Sequence, residues 1–217
     1  MLIARYLIAA VIGYLLGCIS SGVLIGKAFG LKDIRKVGSG NAGTTNVLRN
    51  LGWLPSVLTL LCDCLKGYVA CLIGKRLGGD AGMLIGGVAA ILGHDFPVFF
   101  GFKGGKGIAT SLGVIIAIHP LLALALLAVQ ILAVALTRTM SVASLITTVA
   151  FPVLTALLFR QRESYALRVV TSLVMSALSL YGHRGNIARL LRGEENKLDF
   201  RKIAEKSRRG KRNGGNP

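Results

Sequence analysis

Acidic side chains are scarce in this chain. Nine Asp and Glu stand against 26 Lys and Arg in 217 residues, for a formal net charge of +17. Four of the nine lie at or after Glu194, so a metal site built from carboxylates is not expected. Histidine is rarer still, with three copies, and no H-E-x-x-H or paired Cys/His spacing suits zinc. The four cysteines, Cys18, Cys62, Cys64 and Cys71, show no C-x-x-C spacing and fall inside apolar runs, which argues against a soluble disulfide framework. No G-x-S-x-G element marks a serine nucleophile. Charged residues of both signs reach only 16%, far below a soluble globular profile. No internal repeat relates the two halves, whereas transporters commonly carry one.

What replaces charge is apolar length. Hydrophobic residues make up 53% of the chain and the mean hydropathy is +0.64. Apolar runs cover Leu2–Gly26, Trp53–Gly74, Ala81–Phe100, Ile108–Leu136, Ser141–Phe159 and Ala166–Tyr181. A spanning helix needs roughly 20 apolar residues, which the last run reaches only with its flanks. The fourth run is too long for one span, and His119-Pro120 divides it into 107–118 and 121–136. The expected fold is therefore an all-α, polytopic membrane bundle of about seven segments. On one face the loops 27–52, 101–106 and 137–140 and the C-terminal segment hold 19 Lys and Arg; the other face holds six. Basic loops mark the cytoplasmic side, which puts the N-terminus outside and the C-terminus in the cytoplasm.

Most of the net charge thus reflects topology and attraction to anionic lipid headgroups. Nucleic acid is not an expected partner, because the basic tail is short and lacks stacking aromatics. Leu15-Leu16-Gly17-Cys18 resembles a lipoprotein cleavage site, but the apolar run continues past Cys18 and only Arg5 precedes it. Small residues at Gly13/Gly17 and Gly22/Gly26 suit a retained, closely packed helix.

Three polar stretches on the cytoplasmic face are candidates for chemistry. Between Gly38 and Arg49, Gly38, Gly40 and Gly43 leave backbone N–H groups free to converge on an anion. Ser39, Asn41, Thr44, Thr45 and Asn46 add side-chain donors, and Arg49 a planar fork suited to phosphate. The second stretch is Phe102-Lys103-Gly104-Gly105-Lys106-Gly107, just before a short helix opening near Thr110 and Ser111. Glycines, two lysines and a helix N-terminus together make an anion seat, but not a nucleotide P-loop, whose pattern fails at Phe100 and Gly107. The third runs from His183 to Glu195, where Asn186, Arg189 and Gly193 share one face of a helix begun at Asn186.

Asp63 and Lys66, three residues apart within an apolar segment, are expected to pair and fasten helices. His94-Asp95 is expected to shape the Lys-Gly loop, and Ser141 and Ser144 to cap a helix start or offer hydroxyls to a ligand.

These three stretches, in this order, resemble the bacterial integral-membrane acyltransferases that acylate glycerol 3-phosphate from acyl phosphate. Asp63-x-x-Lys66-Gly67 and the Arg138…Ser141 region are similar too. Ala42, where that family commonly has Pro, is a departure. The pattern of coenzyme A-dependent glycerolipid acyltransferases, His followed by Asp at a fixed offset, is missing after His94, His119 and His183.

The resemblance implies acyl transfer to the 1-hydroxyl of glycerol 3-phosphate at the cytoplasmic face of a bacterial cell (plasma or inner) membrane. It implies no cofactor, no metal and no acyl-CoA, with acyl phosphate, membrane lipid and the enzyme that makes acyl phosphate as partners. Ser39, Arg49, Lys106, His183 and Asn186 would then be catalytic. Gly38, Gly40, Asn41, Gly43, Thr44, Thr45, Asn46, Lys103, Gly104, Gly105, Gly107 and Ser141 would surround the substrate phosphates. Asp63, Lys66 and Glu195 would lend structural support, Glu195 by pairing with an arginine of its own motif. One membrane domain would cover residues 1–200, with 201–217 a disordered basic tail.

Overall fold

Buried hydroxyls and a greasy exterior characterise the helices of the computed structural model, which describes residues 1–161 and 163–213, with side chains through residue 207. Among the described residues there are ten α-helices, two short 3-10 turns and no strand. The first apolar segment comprises α1 (Leu2–Gly17) and α2 (Ser21–Ala28). A short α3 (Thr44–Leu51) precedes α4 (Trp53–Asp95). Then follow α5 (Ile108–Ile118), α6 (Pro120–Thr137), α7 (Met140–Leu158), α8 (Tyr165–Gly182), α9 (Arg184–Leu191) and α10 (Phe200–Asn213).

Among the described residues, five helical segments are long and apolar enough to cross a bilayer: Leu2–Ala28, Trp53–Phe100, Pro120–Thr137, Met140–Leu158 and Tyr165–Gly182. The second of these reverses direction. Gly78 and Gly79 leave helical geometry, Gly79 with φ +63°, and Gly74 and Ala70 on one limb meet Gly82 and Gly86 on the other. The break foreseen at His119-Pro120 is real: His119 is extended, its ring accepts from the Leu122 amide at 3.2 Å, and Pro120 opens α6.

Small residues set the helix spacing, since apolar side chains gain little by leaving lipid. Gly13 and Gly17 of α1 lie against the backbone of Gly86 and Ala90, and Gly113 of α5 against that of Cys64. Gly22 serves differently, taking the Ala42 carbonyl of the first polar loop where a side chain would have no room. Polar contacts face inward: Thr148 and Ser179 hydroxyls meet at 2.9 Å, and Ser176 donates to the Thr148 carbonyl at 2.8 Å. Leu121, Leu124, Ile131, Leu132 and Leu136 of α6 stay exposed, as a lipid-facing surface should.

The loops gather at two ends. At one, Arg49 donates to the Asn196 carbonyl at 2.9 Å and the Leu198 amide to the Arg138 carbonyl at 2.7 Å. At the other, Arg168 pairs with Asp80 at 3.0 Å and His119 packs edge-on against Phe159. The tail expected to be disordered from residue 201 is instead helical to Asn213. Ile203, 3% exposed, packs with Leu48 and Leu198, so one face of α10 has an apolar partner. Residues 214–217 of that expectation lie outside the described residues.

Candidate active site

Two cavities open at the end where Arg49, Lys106 and Asn186 gather. The larger, about 660 Å³, has Thr44, Arg49, Lys106, Ser141, His183 and Asn186 at its polar part. It continues between helices past Leu60, Ile115, Leu126, Phe151 and Met175. The smaller, about 360 Å³, lies over Lys103, Gly104, Gly105, Arg184 and Arg189. Ser39, Asn41, Lys106 and Asn186 line both.

The Gly38–Arg49 loop reaches its shape through Asn46, which is 2% exposed. Its amide nitrogen donates to the carbonyls of Ile34, Val37 and Asn41 at 2.9–3.0 Å, and its oxygen accepts from the Ser39 amide at 2.9 Å. Asn41 is engaged in the same way: it donates to the Gly104 carbonyl at 3.2 Å and accepts from the Gly43 amide at 2.8 Å. Gly40 N–H bonds the Val37 carbonyl at 3.1 Å.

The side-chain donors of Asn46 and Asn41, and the N–H groups of Gly40 and Gly43, are therefore not free for a ligand. They fasten the loop instead. Gly38 and Gly40 carry φ of +60° and +72°, a turn that L side chains resist. What the loop presents is Ser39, the first amides of α3 at Thr44 and Thr45, and Arg49. The Thr44 hydroxyl and Arg49 Nε are buried with no partner. Burial holds the Arg49 guanidinium below its ordinary pKa and the nearby Arg189 adds to this, while Glu195 opposes it.

The Lys-Gly loop sits on His94. Gly105 N–H bonds the His94 carbonyl at 3.0 Å and Gly104 N–H that of Asp95 at 3.2 Å. A side chain on Gly105 would occupy the His94 ring, and Gly107, with φ +71°, turns the chain into α5. Gly104 and Gly105 thus owe their smallness to the histidine beneath them, and their amides are taken. Below them the buried Lys66 ammonium bridges Asp63 Oδ1, His94 Nδ1 and the Ile19 carbonyl, each at 2.8 Å. This cluster fastens three chain segments, as the Asp63/Lys66 spacing suggested.

On the other side, Arg35 is oriented by Asp33 at 2.8 Å. It donates to the Phe100 carbonyl at 2.7 Å, stacks over the Phe100 ring and reaches the Lys103 carbonyl at 3.4 Å. Lys103 itself is exposed beside the smaller cavity.

Lys106 donates its ammonium to the Asn186 amide oxygen. Asn186 in turn donates to Glu195 Oε1 at 2.8 Å, and Arg189 Nε to Glu195 Oε2 at 2.9 Å. Burial lowers the Lys106 pKa to about 8, helped by Arg189 and Arg49 and opposed by Glu195. Burial alone would raise the Glu195 carboxyl, but donors from Asn186 and Arg189, with the Ser141 hydroxyl nearby, hold it below its usual range. Ser141 is 4% exposed and its hydroxyl makes no hydrogen bond.

His183, 2% exposed, has Nδ1 2.8 Å from the Ser179 carbonyl oxygen. A carbonyl only accepts, so Nδ1 carries the hydrogen and the neutral ring leaves Nε2 a bare acceptor. Burial pushes the His183 pKa down to about 4, and Lys106 adds to it. At neutral pH this side chain accepts a hydrogen bond rather than donating one to phosphate.

Sequence reasoning overlooked Arg189 and Arg184 as lining groups and Arg35 as a loop anchor, whereas His94 shapes the Lys-Gly loop as expected. Arg189 carried a signal, sharing a face with Asn186. Arg35 carried none, because its partners are carbonyls 65 and 68 residues away.

Known proteins share this fold. Residues 7–193 match the family model described as glycerol-3-phosphate acyltransferase. The glycerol-3-phosphate acyltransferase of Thermoanaerobacter pseudethanolicus (strain ATCC 33223 / 39E) is 44% identical, over 88% of this chain and 94% of its own length. That of Burkholderia pseudomallei (strain K96243) is 41% identical, over 91% and 98%. The crystal structure of PlsY (YgiH), an integral membrane glycerol 3-phosphate acyltransferase, in its glycerol 3-phosphate form, superposes with a TM-score of 0.83. That match is at 39% identity and covers 92% of this chain and 98% of the crystal structure's chain. With its membrane-length helices and its cationic site at one end, this chain belongs to the glycerol-3-phosphate acyltransferase family.

Proposed function

We propose that this chain transfers a fatty acyl group from acyl phosphate to the 1-hydroxyl of glycerol 3-phosphate, giving lysophosphatidate and inorganic phosphate. One observation carries the reading: a single cavity with buried, partnerless polar groups at one end and apolar helix faces at the other. Such a cavity suits a phosphate-bearing headgroup joined to an alkyl chain. The related crystal structures in glycerol 3-phosphate and lysophosphatidic acid forms point the same way.

In this reaction the glycerol oxygen bonds to the acyl carbonyl carbon, the bond from that carbon to the phosphate oxygen breaks, and phosphate leaves. The hydroxyl proton ends on a phosphate oxygen. Arg49, Lys106, Ser39, Ser141 and the α3 N-terminus hold the two anions together, which is positioning and electrostatic work. Lys103 and Arg189 extend the positive field over the smaller cavity. His183 Nε2 accepts from the glycerol hydroxyl and aims it. With its pKa near 4 it is a weak base, whereas a phosphate monoester has a second pKa of about 6. The substrate phosphate is thus the better proton acceptor.

We assign the chain seven membrane segments, counting both limbs of α4 and the short α5, within one domain spanning residues 1–200. The N-terminus lies outside and the site faces the cytoplasm of a bacterial inner membrane. There a separate acyl-phosphate-forming enzyme supplies the donor. The bias of Lys and Arg toward the site-bearing end supports this orientation.

Purified protein given acyl phosphate and glycerol 3-phosphate, with magnesium omitted, tests the reading. Phosphate release that depends on the acceptor is expected. Its absence would refute the acyltransferase assignment.

A further inference from the structure

The helix α10 lies past the residues matched by the family model. It is nonetheless built into the site's surroundings. Ile203 packs with Leu48 of α3 and Leu198, and Val134 and Met140 lie against this cluster. The Lys206 ammonium donates to the Arg49 carbonyl at 2.8 Å, meeting a last-turn carbonyl of α3 that has no helical donor. Ser207 Oγ accepts from the Trp53 amide at 3.1 Å, satisfying the first amide of α4. Between these two contacts Ser207 packs on Gly52, whose φ of +86° makes the α3–α4 corner. α10 therefore clasps the corner next to the helix that carries Arg49, and Leu198 just before it and Phe200 at its start line the large cavity.

The clasp has little apolar area and a great deal of charge. From Phe200 to Asn213 there are seven Lys and Arg against one Glu. Arg201 and Lys202 are exposed, and Lys206 reaches the backbone of Arg49, itself a cation. Like charges at this density repel one another and loosen the helix from its seat. The surroundings of the corner are those of a bilayer surface: Trp53, Leu54 and Val57 at the start of α4, and Phe200 at the start of α10, are exposed. Aromatic and aliphatic side chains beside a basic amphipathic helix suit the headgroup layer, where anionic lipid neutralises the cations.

We propose that α10 is a strap whose inner side positions Arg49 through the α3–α4 corner and whose basic side is held by anionic phospholipid headgroups. The acyltransferase thereby binds glycerol 3-phosphate more tightly in an anionic membrane. The kinetic half of this rests on the function proposed above; the docking half does not.

The test uses the full chain in nanodiscs of phosphatidylcholine alone or mixed with phosphatidylglycerol. It reads hydrogen exchange at the Trp53 and 203–207 amides, and KM and kcat for glycerol 3-phosphate. With phosphatidylglycerol these amides should exchange several-fold more slowly, and KM should fall several-fold with kcat unchanged. A variant with Arg208→Gln, Arg209→Gln, Lys211→Gln and Arg212→Gln keeps the clasp residues and should lose both responses. Ile203→Asn should exchange fast and show the raised KM in either lipid.

Equal exchange in the two lipids would overturn the lipid half, and an unchanged KM despite slowed exchange would overturn the positioning half. If inorganic phosphate added to phosphatidylcholine discs reproduces the protection, the helix answers to free anion and the headgroup assignment is wrong. A preparation with no turnover at all refutes the proposed function, and exchange alone then decides the docking.

Discussion

Lys106 and Asn186, 80 residues apart in the chain, meet where the two cavities join, the lysine ammonium donating to the asparagine amide oxygen. Asn186 is aimed by Glu195, which also holds Arg189. One carboxylate thus orders a cation, an amide and, through the amide, a second cation.

That geometry makes Lys106 the source of an alkaline limb. Its pKa of about 8 leaves it charged below pH 8 and neutral above, so anion binding weakens as pH rises through that value. The expected result is a kcat/KM that declines above about pH 8. Lys106→Arg should move the decline upward, since guanidinium stays protonated, and Lys106→Ala should lower turnover by about a hundredfold or more. A pH profile of the three proteins checks this.

Glu195→Gln keeps the shape and removes the charge. Asn186 and Arg189 then lose a charged acceptor, and KM for glycerol 3-phosphate should rise about tenfold, the equivalent of roughly 1.4 kcal/mol. Steady-state kinetics measures it; a KM equal to the parent's would mean that Glu195 does not order the site.

His183 should be neutral well below its ordinary pKa, with hydrogen on Nδ1. Nitrogen NMR of the labelled ring should report that tautomer from pH 8 down to about pH 5. Because the folded-state pKa lies below the unfolded value, the unfolded chain takes up the proton first as pH falls. The thermal midpoint is therefore expected to be steady above pH 6.5 and to drop between there and about pH 4.

The cluster under the Lys-Gly loop separates folding from catalysis. Lys66→Met strands the buried Asp63 carboxylate and should cost about 3–5 kcal/mol of stability. Asp63→Asn added to it should recover part of the loss. Gly105→Ala forces the loop off the His94 ring, and turnover should collapse while the melting temperature stays near the parent's. Thermal melts paired with phosphate-release assays distinguish the two.

In the proposed function the acyl chain occupies the apolar part of the large cavity. Ile115→Phe adds bulk there, and the preferred acyl length should shorten by a few carbons in assays across an acyl phosphate series.

Much of this was legible in the amino-acid order. Hydropathy located the apolar helices, His119-Pro120 the break between α5 and α6, and residue spacing the Asp63/Lys66 pair, while the family resemblance implied that Glu195 pairs with an arginine of its motif, which is Arg189. The composition of the three polar stretches also pointed to the corner where the two cavities open. What stayed hidden was which donors remain free. An asparagine amide that braces a loop reads the same as one that grips a ligand, and Asn41 and Asn46 brace. Gly104 and Gly105 read as room for phosphate, whereas the structure gives that room to His94. The tail read as disordered because seven cations outweigh a single isoleucine in any composition; only the seat between Leu48 and Leu198 reveals what Ile203 is for.

Asn41 ties the first loop to the Gly104 carbonyl, and Arg35, beside that loop's start, ties it to Phe100 and Lys103. Each loop is braced by the other, although more than 50 residues separate them. They are a single heritable part written in two places. A chimera borrowing one of them from a relative would inherit half a hinge, and must carry its counterpart along to work.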